Sequence, residues 1–209
     1  PGYQVTFALM LTSAIITCAL TTRLKDHAKM SAQAAFRTKV LFDTNQLLQR
    51  AKNEEEILSQ TASQLMKLLN RSLIVYPEQN GGLGSEQLFS VDGEVPCNIF
   101  SAPEERDAAN WTFANKKRSG AGTDSYPDAK GLYLALRTGG GVFGVIGIDL
   151  SEKPLDAFEN SVLLSILGEG ALAIENRRNA LEKEQAALQA RNEELRANLL
   201  RTISHDLRT

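Results

Sequence analysis

The residues best equipped for chemistry stand together in "ISHDLRT", residues 203–209. His205, one of two histidines in the sequence, carries an imidazole that is neutral and nucleophilic over much of the physiological pH range. Such a nitrogen can attack the γ-phosphoryl of a bound nucleotide and hold it as a labile N–P bond. That reaction is governed mainly by alignment and charge stabilisation. Asp206 can hydrogen-bond the other ring nitrogen, which fixes the tautomer and raises the basicity of the attacking one. Thr209 follows His205 by one helical turn on the same face, where a hydroxyl can orient a water for the reverse, hydrolytic step. Arg208 can meet phosphate oxygens or an acidic neighbour.

The element that must position this cluster is a long helix. After Pro154 the sequence holds no further proline, and a row of period seven runs through Leu167, Ile174, Leu181, Leu188 and Leu195, continued by Thr202. A second row, Ala171, Arg178, Gln185, Asn192 and Leu199, is polar in the middle. A seven-residue repeat predicts a left-handed coiled coil, here a homodimer, with the polar positions lowering stability and fixing register. The alternative is a solvated single helix. Residues 169–209 are therefore read as coiled coil leading into the histidine-bearing helix.

At the other end, "YQVTFALMLTSAIITCALTT" (3–22) is twenty residues without a charge, and a spanning helix needs about 20. Its Ser and Thr residues make it only moderately apolar, so a buried core helix or an amphipathic surface helix is the alternative. Arg23, Lys25 and Lys29 follow at once, which places the C-terminal side in the cytoplasm by the positive-inside bias. With no basic run ahead of it and no small-residue cleavage site, it is not a signal peptide. Residues 23–52 read as a linker helix.

Residues 53–168 read as an α+β domain. Asn53 is a good N-cap for a helix whose first turn holds Glu54, Glu55 and Glu56. Its stripe is Ile57, Leu58, Thr61, Leu65, Leu68 and Leu69. "SLIVYPE" predicts a strand ended by Pro77, and "EQLFSVDG" a second. Ser101 and Pro103 open a helix over "SAPEERDAANWTFANKK". "RSGAGTDSYPDA" is a polar loop, and "GLYLALRTGGGVFGVIGIDL" the clearest hairpin.

Composition narrows the function. A net charge of -2 gives no general attraction to nucleic acid. Cys18 and Cys97 lie far apart and read as reduced, packing thiols, and no metal-ligand spacing occurs. Asp124, Asp128 and Asp149 can coordinate a cation, but scattered acids are usually solvated. "TGGGV" precedes a strand rather than a helix, so it reads as a turn and not a phosphate cradle. Trp111, Phe113, Tyr126 and Tyr133 either line a pocket under the polar loop or belong to the core, the blander reading. His27 is an exposed linker residue. The sequence opens on Pro1 and closes inside a helical pattern, so it reads as a piece of something longer.

"ISHDLRT" resembles the H-box of sensor histidine kinases, whose motif continues with a proline. "TFALMLTSAIITCALTTRLKDHA" is similar to the last transmembrane helix and basic exit of the Kdp-type potassium-sensor histidine kinases. "NWTFANKKRSGAGTDSYPDAKGLYLALRTGGGVFGVIGIDL" looks like the second half of their GAF domain, and "ANLLRTISHDLRT" like their dimerisation helix. The resemblance is weakest over 71–100. It implies a GAF-like antiparallel sheet flanked by helices, with His205 as the autophosphorylated residue, Asp206 as its acid/base partner and Thr209 as the phosphatase-step residue. It also implies an inner-membrane location with the GAF domain and C-terminal helix cytoplasmic, a response to potassium limitation or osmotic stress, and a response regulator that receives the phosphoryl group. ATP and Mg would be bound by a domain these residues do not contain, so no cofactor site is assigned here and the piece is expected to be inactive alone. The alternative is a non-enzymatic, membrane-anchored GAF module for ligand binding or dimerisation.

Overall fold

Asn53 opens the folded domain as its residue type predicts. Its side chain accepts from the Glu56 N–H at 2.7 Å, and the Glu56 carboxylate accepts from the Lys52 N–H at 2.7 Å, so donors at the helix start are satisfied from both directions. The computed structural model describes residues 2–91 and 99–206. The chain divides into two units, Pro1–Asp43 and Thr44–Thr209. Helix α1 (Gly2–Arg50) makes up the described first unit, and its last turns belong to the second.

In the second unit, α2 (Glu54–Leu69) is followed by β1 (Leu73–Gln79), β2 (Gly82–Leu83) and β3 (Gln87–Phe89). Then come α3 (Pro103–Asn115), β4 (Ser119–Gly120), β5 (Gly131–Arg137), β6 (Val142–Asp149) and α4 (Ala157–Asp206). The strands form one antiparallel sheet in the order β2-β1-β6-β5-β4, with β3 also on β1. The predicted hairpin is β5–β6, closed by a Thr138 N–H bond to the Gly141 carbonyl.

Alternation along the strands sends apolar side chains both ways. One face, with Ile74, Tyr76, Tyr133 and Val145, packs on Ala108 and Ala109 of α3. The other carries Leu73, Val75, Leu134, Leu136, Ile146 and Ile148, all buried, beneath α2 and α4. Gly147 makes room on the first face: a Cβ there would sit 2.7 Å from Ile74 Cγ2 and against the Tyr133 ring. Gly170 lets α4 approach α2, since a Cβ would lie 2.7 Å from Thr61 Oγ1.

Two local expectations are corrected. Pro77 lies inside β1, opposite Gly144, and does not end it. Its carbonyl accepts from the Gly84 N–H at 2.8 Å, so its missing N–H falls between the β3 pairing at 73–75 and the β2 pairing at 78–79. The N-cap of α3 is Ala102, not Ser101, because Pro103 itself takes the first helical position. Cys18 is exposed on α1 and so is not a packed thiol; Cys97 lies outside the described residues. Helix α4 begins with a reciprocal cap, Asp156 Oδ1 accepting from Glu159 N–H and Glu159 Oε2 from Asp156 N–H. Among the described residues the one stretch apolar and long enough to cross a membrane lies in this helix. Its apolar side chains Val162, Leu163, Ile166 and Leu167 are buried, which makes it the core helix of the domain.

Candidate functional site

Helix α4 has 50 residues and is therefore about 75 Å long. Its period-seven row is spent in two ways. Leu167 and Ile174 are buried in the chain's own domain, whereas Leu181, Leu188 and Leu195 are 41%, 57% and 54% exposed. Residues seven apart share a face, so the face that covers α2 and the sheet up to Ile174 is bare from Leu181 onward. His205 and Asp206 fall in the last turn of α4. Their side chains, those of Leu199 and Thr202, and all of Thr209 lie outside the described residues.

Between the two stretches stands a collar of polar ties. Glu175 Oε1 accepts from Thr138 Oγ1 at 2.8 Å, which fixes the β5–β6 turn. Arg177 donates to the Lys52 carbonyl at 2.8 Å. Arg178 donates through Nε and Nη2 to the two carboxylate oxygens of Glu54, both at 2.8 Å, and through Nη2 to Glu78 at 3.1 Å. Its guanidinium also lies 5.0 Å from the centroid of the Phe143 ring, a cation–π distance. Hydrogen bonding to Glu54, then to Glu78, raises the Arg178 pKa against the opposing effect of burial. The Gly81 backbone N–H and Arg178 hold Glu78 below its ordinary value. Helix α4 is thus pinned to the α1–α2 junction, the end of β1 and the start of β6 at the point where it leaves the domain.

On the opposite face of the sheet, Glu105 of α3 is 2% exposed. Its carboxylate accepts from Lys130 N–H at 2.6 Å, Gly131 N–H at 3.1 Å and Tyr133 Oη at 2.7 Å, so an acceptor-only group meets three donors. Burial, and then the hydrogen bond to Glu105, pushes the Tyr133 phenol far above its usual range. Tyr76 is pushed up to about 12 by burial, with Glu86 adding and Arg106 opposing. This knot anchors the start of β5 and the end of the long polar loop.

Beneath that loop opens a groove of about 970 Å³, bordered by Trp111, Leu134, Leu164 and Leu167 and rimmed by the cations Lys116, Lys117, Arg118 and Arg137. Of the four aromatics proposed for a pocket, only Trp111 lines it. Tyr133 is core, Phe113 packs against that core, and Tyr126 stands at the surface. Gly139–Gly141 join β5 to β6, so this glycine run lies in a hairpin turn. No cluster of metal-ligating residues occurs among the described residues.

The sensor protein KdpD of Clostridium acetobutylicum matches all of this chain at 33% identity, and that of Escherichia coli matches 99% of it at 28%. The chain is a KdpD-like segment. It spans about a quarter of the length of the curated relatives it matches, 23% and 22%. The fold agrees: 72% of the KdpD-like chain superposes on 99% of the crystallised GAF domain of the Escherichia coli potassium sensor histidine kinase KdpD, with a TM-score of 0.51 and 22% identity. The α+β domain therefore has the GAF fold. No protein-family model matches the chain.

The sequence of this KdpD-like chain shows the helix that bears His205 but hides Arg178, which holds that helix, and Glu105, which anchors the start of β5. Glu105 is one of three acids in "PEERD" that look alike in sequence, and Arg178 stands in the polar row of the heptad pattern. Burial of the one and the partners of the other depend on contacts 25 to 28 and 100 to 124 residues away, which no local pattern encodes. Asp149 Oδ1 accepts from Ser151 N–H and Oγ, a local turn. His27 is exposed, as expected.

Proposed function

We propose that this chain is the sensory and phosphoacceptor stretch of a membrane sensor histidine kinase, with His205 as the phosphorylated residue. The observation that carries the reading is that one unbroken helix joins the GAF domain to "ISHD" in a chain similar to KdpD over its whole length. In this reading residues 3–22 span the inner membrane and 23–52 form the cytoplasmic linker. Residues 53–168 are the sensor domain, and 169–209 form the dimer helix with the phosphoacceptor.

The membrane assignment draws on two features. Residues 3–22 carry no charge. The hydroxyls of Ser13, Thr17, Thr21 and Thr22 donate to carbonyls three or four residues back in their own helix, so these polar groups need no water. The bare Leu181, Leu188 and Leu195 stripe supports a homodimer. Asp206 sets the imidazole tautomer, Thr209 serves the hydrolytic step, and a response regulator receives the phosphoryl group. ATP with Mg is the donor, which the resemblance implies is held by a domain outside these residues. The stimulus, by resemblance, is potassium limitation or osmotic stress.

The test is phosphate incorporation by the full-length protein with His205→Gln. Loss of acid-labile phosphate with dimerisation retained is the expected outcome. Unchanged incorporation would refute the assignment and favour a non-enzymatic GAF module.

A further inference from the structure

Strand β5 outruns its neighbour. Strand β4 pairs with it only at Tyr133 and Leu132, whereas β6 pairs with it from Gly131 to Arg137. Backbone groups on a strand point alternately to its two sides. The Ala121 N–H bond to the Gly131 carbonyl puts Gly131 and Tyr133 on the β4 side. Ala135 is the next residue whose N–H and C=O face that way, and among the described residues no backbone group pairs with them there.

This free edge lies along the basic groove. Natural edges are kept short, covered or charged to prevent unwanted pairing. Here the charges are present, but among the described residues nothing covers the edge: about 970 Å³ stays open over it. Leu134, Leu164 and Leu167 offer an apolar wall on the α4 side, and Trp111 of α3 and Ala135 line the same groove. An added strand sends successive side chains to opposite faces, so alternate ones would meet this wall. The rim carries Lys116, Lys117, Arg118 and Arg137 against Asp124 alone, a strongly one-signed field that selects an acidic guest.

We propose that the free edge of β5 binds an extended acidic segment of a partner protein as an added strand. The guest's amides pair with Ala135, its apolar residues enter between Leu134 and Leu164, and its carboxylates meet the four cations. This is strand addition, in which main-chain bonds give affinity and alternate side chains give selectivity.

Trp111 is the single tryptophan of the chain, so its fluorescence reports the groove directly. The full chain in detergent is titrated with an end-blocked peptide of alternating Glu and Val, about eight residues long. A saturable change is expected, weakened at least about tenfold when alternate amides of the peptide are N-methylated, and similarly by Lys117→Glu with Arg118→Glu. The N-methyl comparison uses the unaltered protein, so it decides even if the double variant folds poorly. No saturable change up to about 1 mM peptide would overturn the proposal. Equal binding of the N-methylated peptide, or an equal response to tripolyphosphate, would overturn it in favour of a plain anion site. Sedimentation showing that the double variant loses only self-association would overturn it in favour of a second copy of the chain.

Discussion

Arg178 and Glu54 meet fork to fork, Nε on Oε1 and Nη2 on Oε2, each at 2.8 Å. Glu54 is the first residue of α2, and Arg178 is where α4 leaves the domain. From there His205 lies about 40 Å further along the helix at about 1.5 Å per residue. A displacement of the α1–α2 junction therefore reaches the histidine-bearing helix through the guanidinium groups of Arg178 and Arg177. For a relay this placement matters more than raw stability, because partly exposed ion pairs contribute little.

The first prediction follows from that exposure. A double-mutant cycle with Arg178→Ala and Glu54→Ala is expected to give a coupling of about 1 kcal/mol in urea unfolding. Arg178→Lys keeps the charge but cannot make the two-pronged contact, and should recover less than half of it. A coupling of zero would mean that the fork is only a crystal-like surface pair and transmits nothing.

Acid should loosen the same collar. Glu78 is held below its ordinary value of 4.5 by the Gly81 N–H and Arg178. A lowered carboxylate pKa contributes stability that is present above the unfolded value and is lost as pH falls through the folded one. The melting temperature of the unaltered chain should therefore exceed that of Glu78→Gln at pH about 7, with the gap closing below pH about 4. A gap that persists unchanged into acid would show that packing, not charge, sets the effect.

Alkali tests the opposite face of the sheet. Tyr76 and Tyr133 both have folded pKa values raised above 10.0, chiefly by burial. The stability they contribute is fully present below the unfolded value and declines as pH rises past it. Tyrosinate absorbance of the folded chain should thus stay short of its four tyrosines until unfolding releases the rest in one step. Tyr133→Phe removes one of the three donors to buried Glu105 and should cost about 1–3 kcal/mol. A smooth titration of all four without unfolding would contradict the buried pair.

What the sequence disclosed and what it hid divide along the range of the forces involved. Asn53, the acids after it and the β5–β6 hairpin were legible because caps and turns are local chemistry. Pro77 misled because a proline breaks a strand only where its N–H would be needed, and that depends on which neighbours pair with the strand. Glu105 was invisible since nothing in "PEERD" tells which glutamate turns inward. The period-seven row was real, but a repeat does not say what buries it. Ile174 and Leu188 occupy equivalent positions in the row, yet one is fully buried by its own domain and the other is exposed.

That division gives the last prediction. If the row changes partner at the Arg178 collar, charged substitutions on its two sides must fail differently. Ile174→Asp places a carboxylate in a core position with no partner and should unfold the domain, at a cost of several kcal/mol. Leu188→Asp with Leu195→Asp touches no described part of the domain core. It should leave the melting of the domain within about 0.5 kcal/mol while shifting the full-length protein from dimer to monomer in sedimentation. Circular dichroism and sedimentation on the same samples separate the two. A dimer that survives Leu188→Asp and Leu195→Asp would place the seam on another face, with Leu164 and Leu172, exposed on α4 within the domain, as the residues to test next.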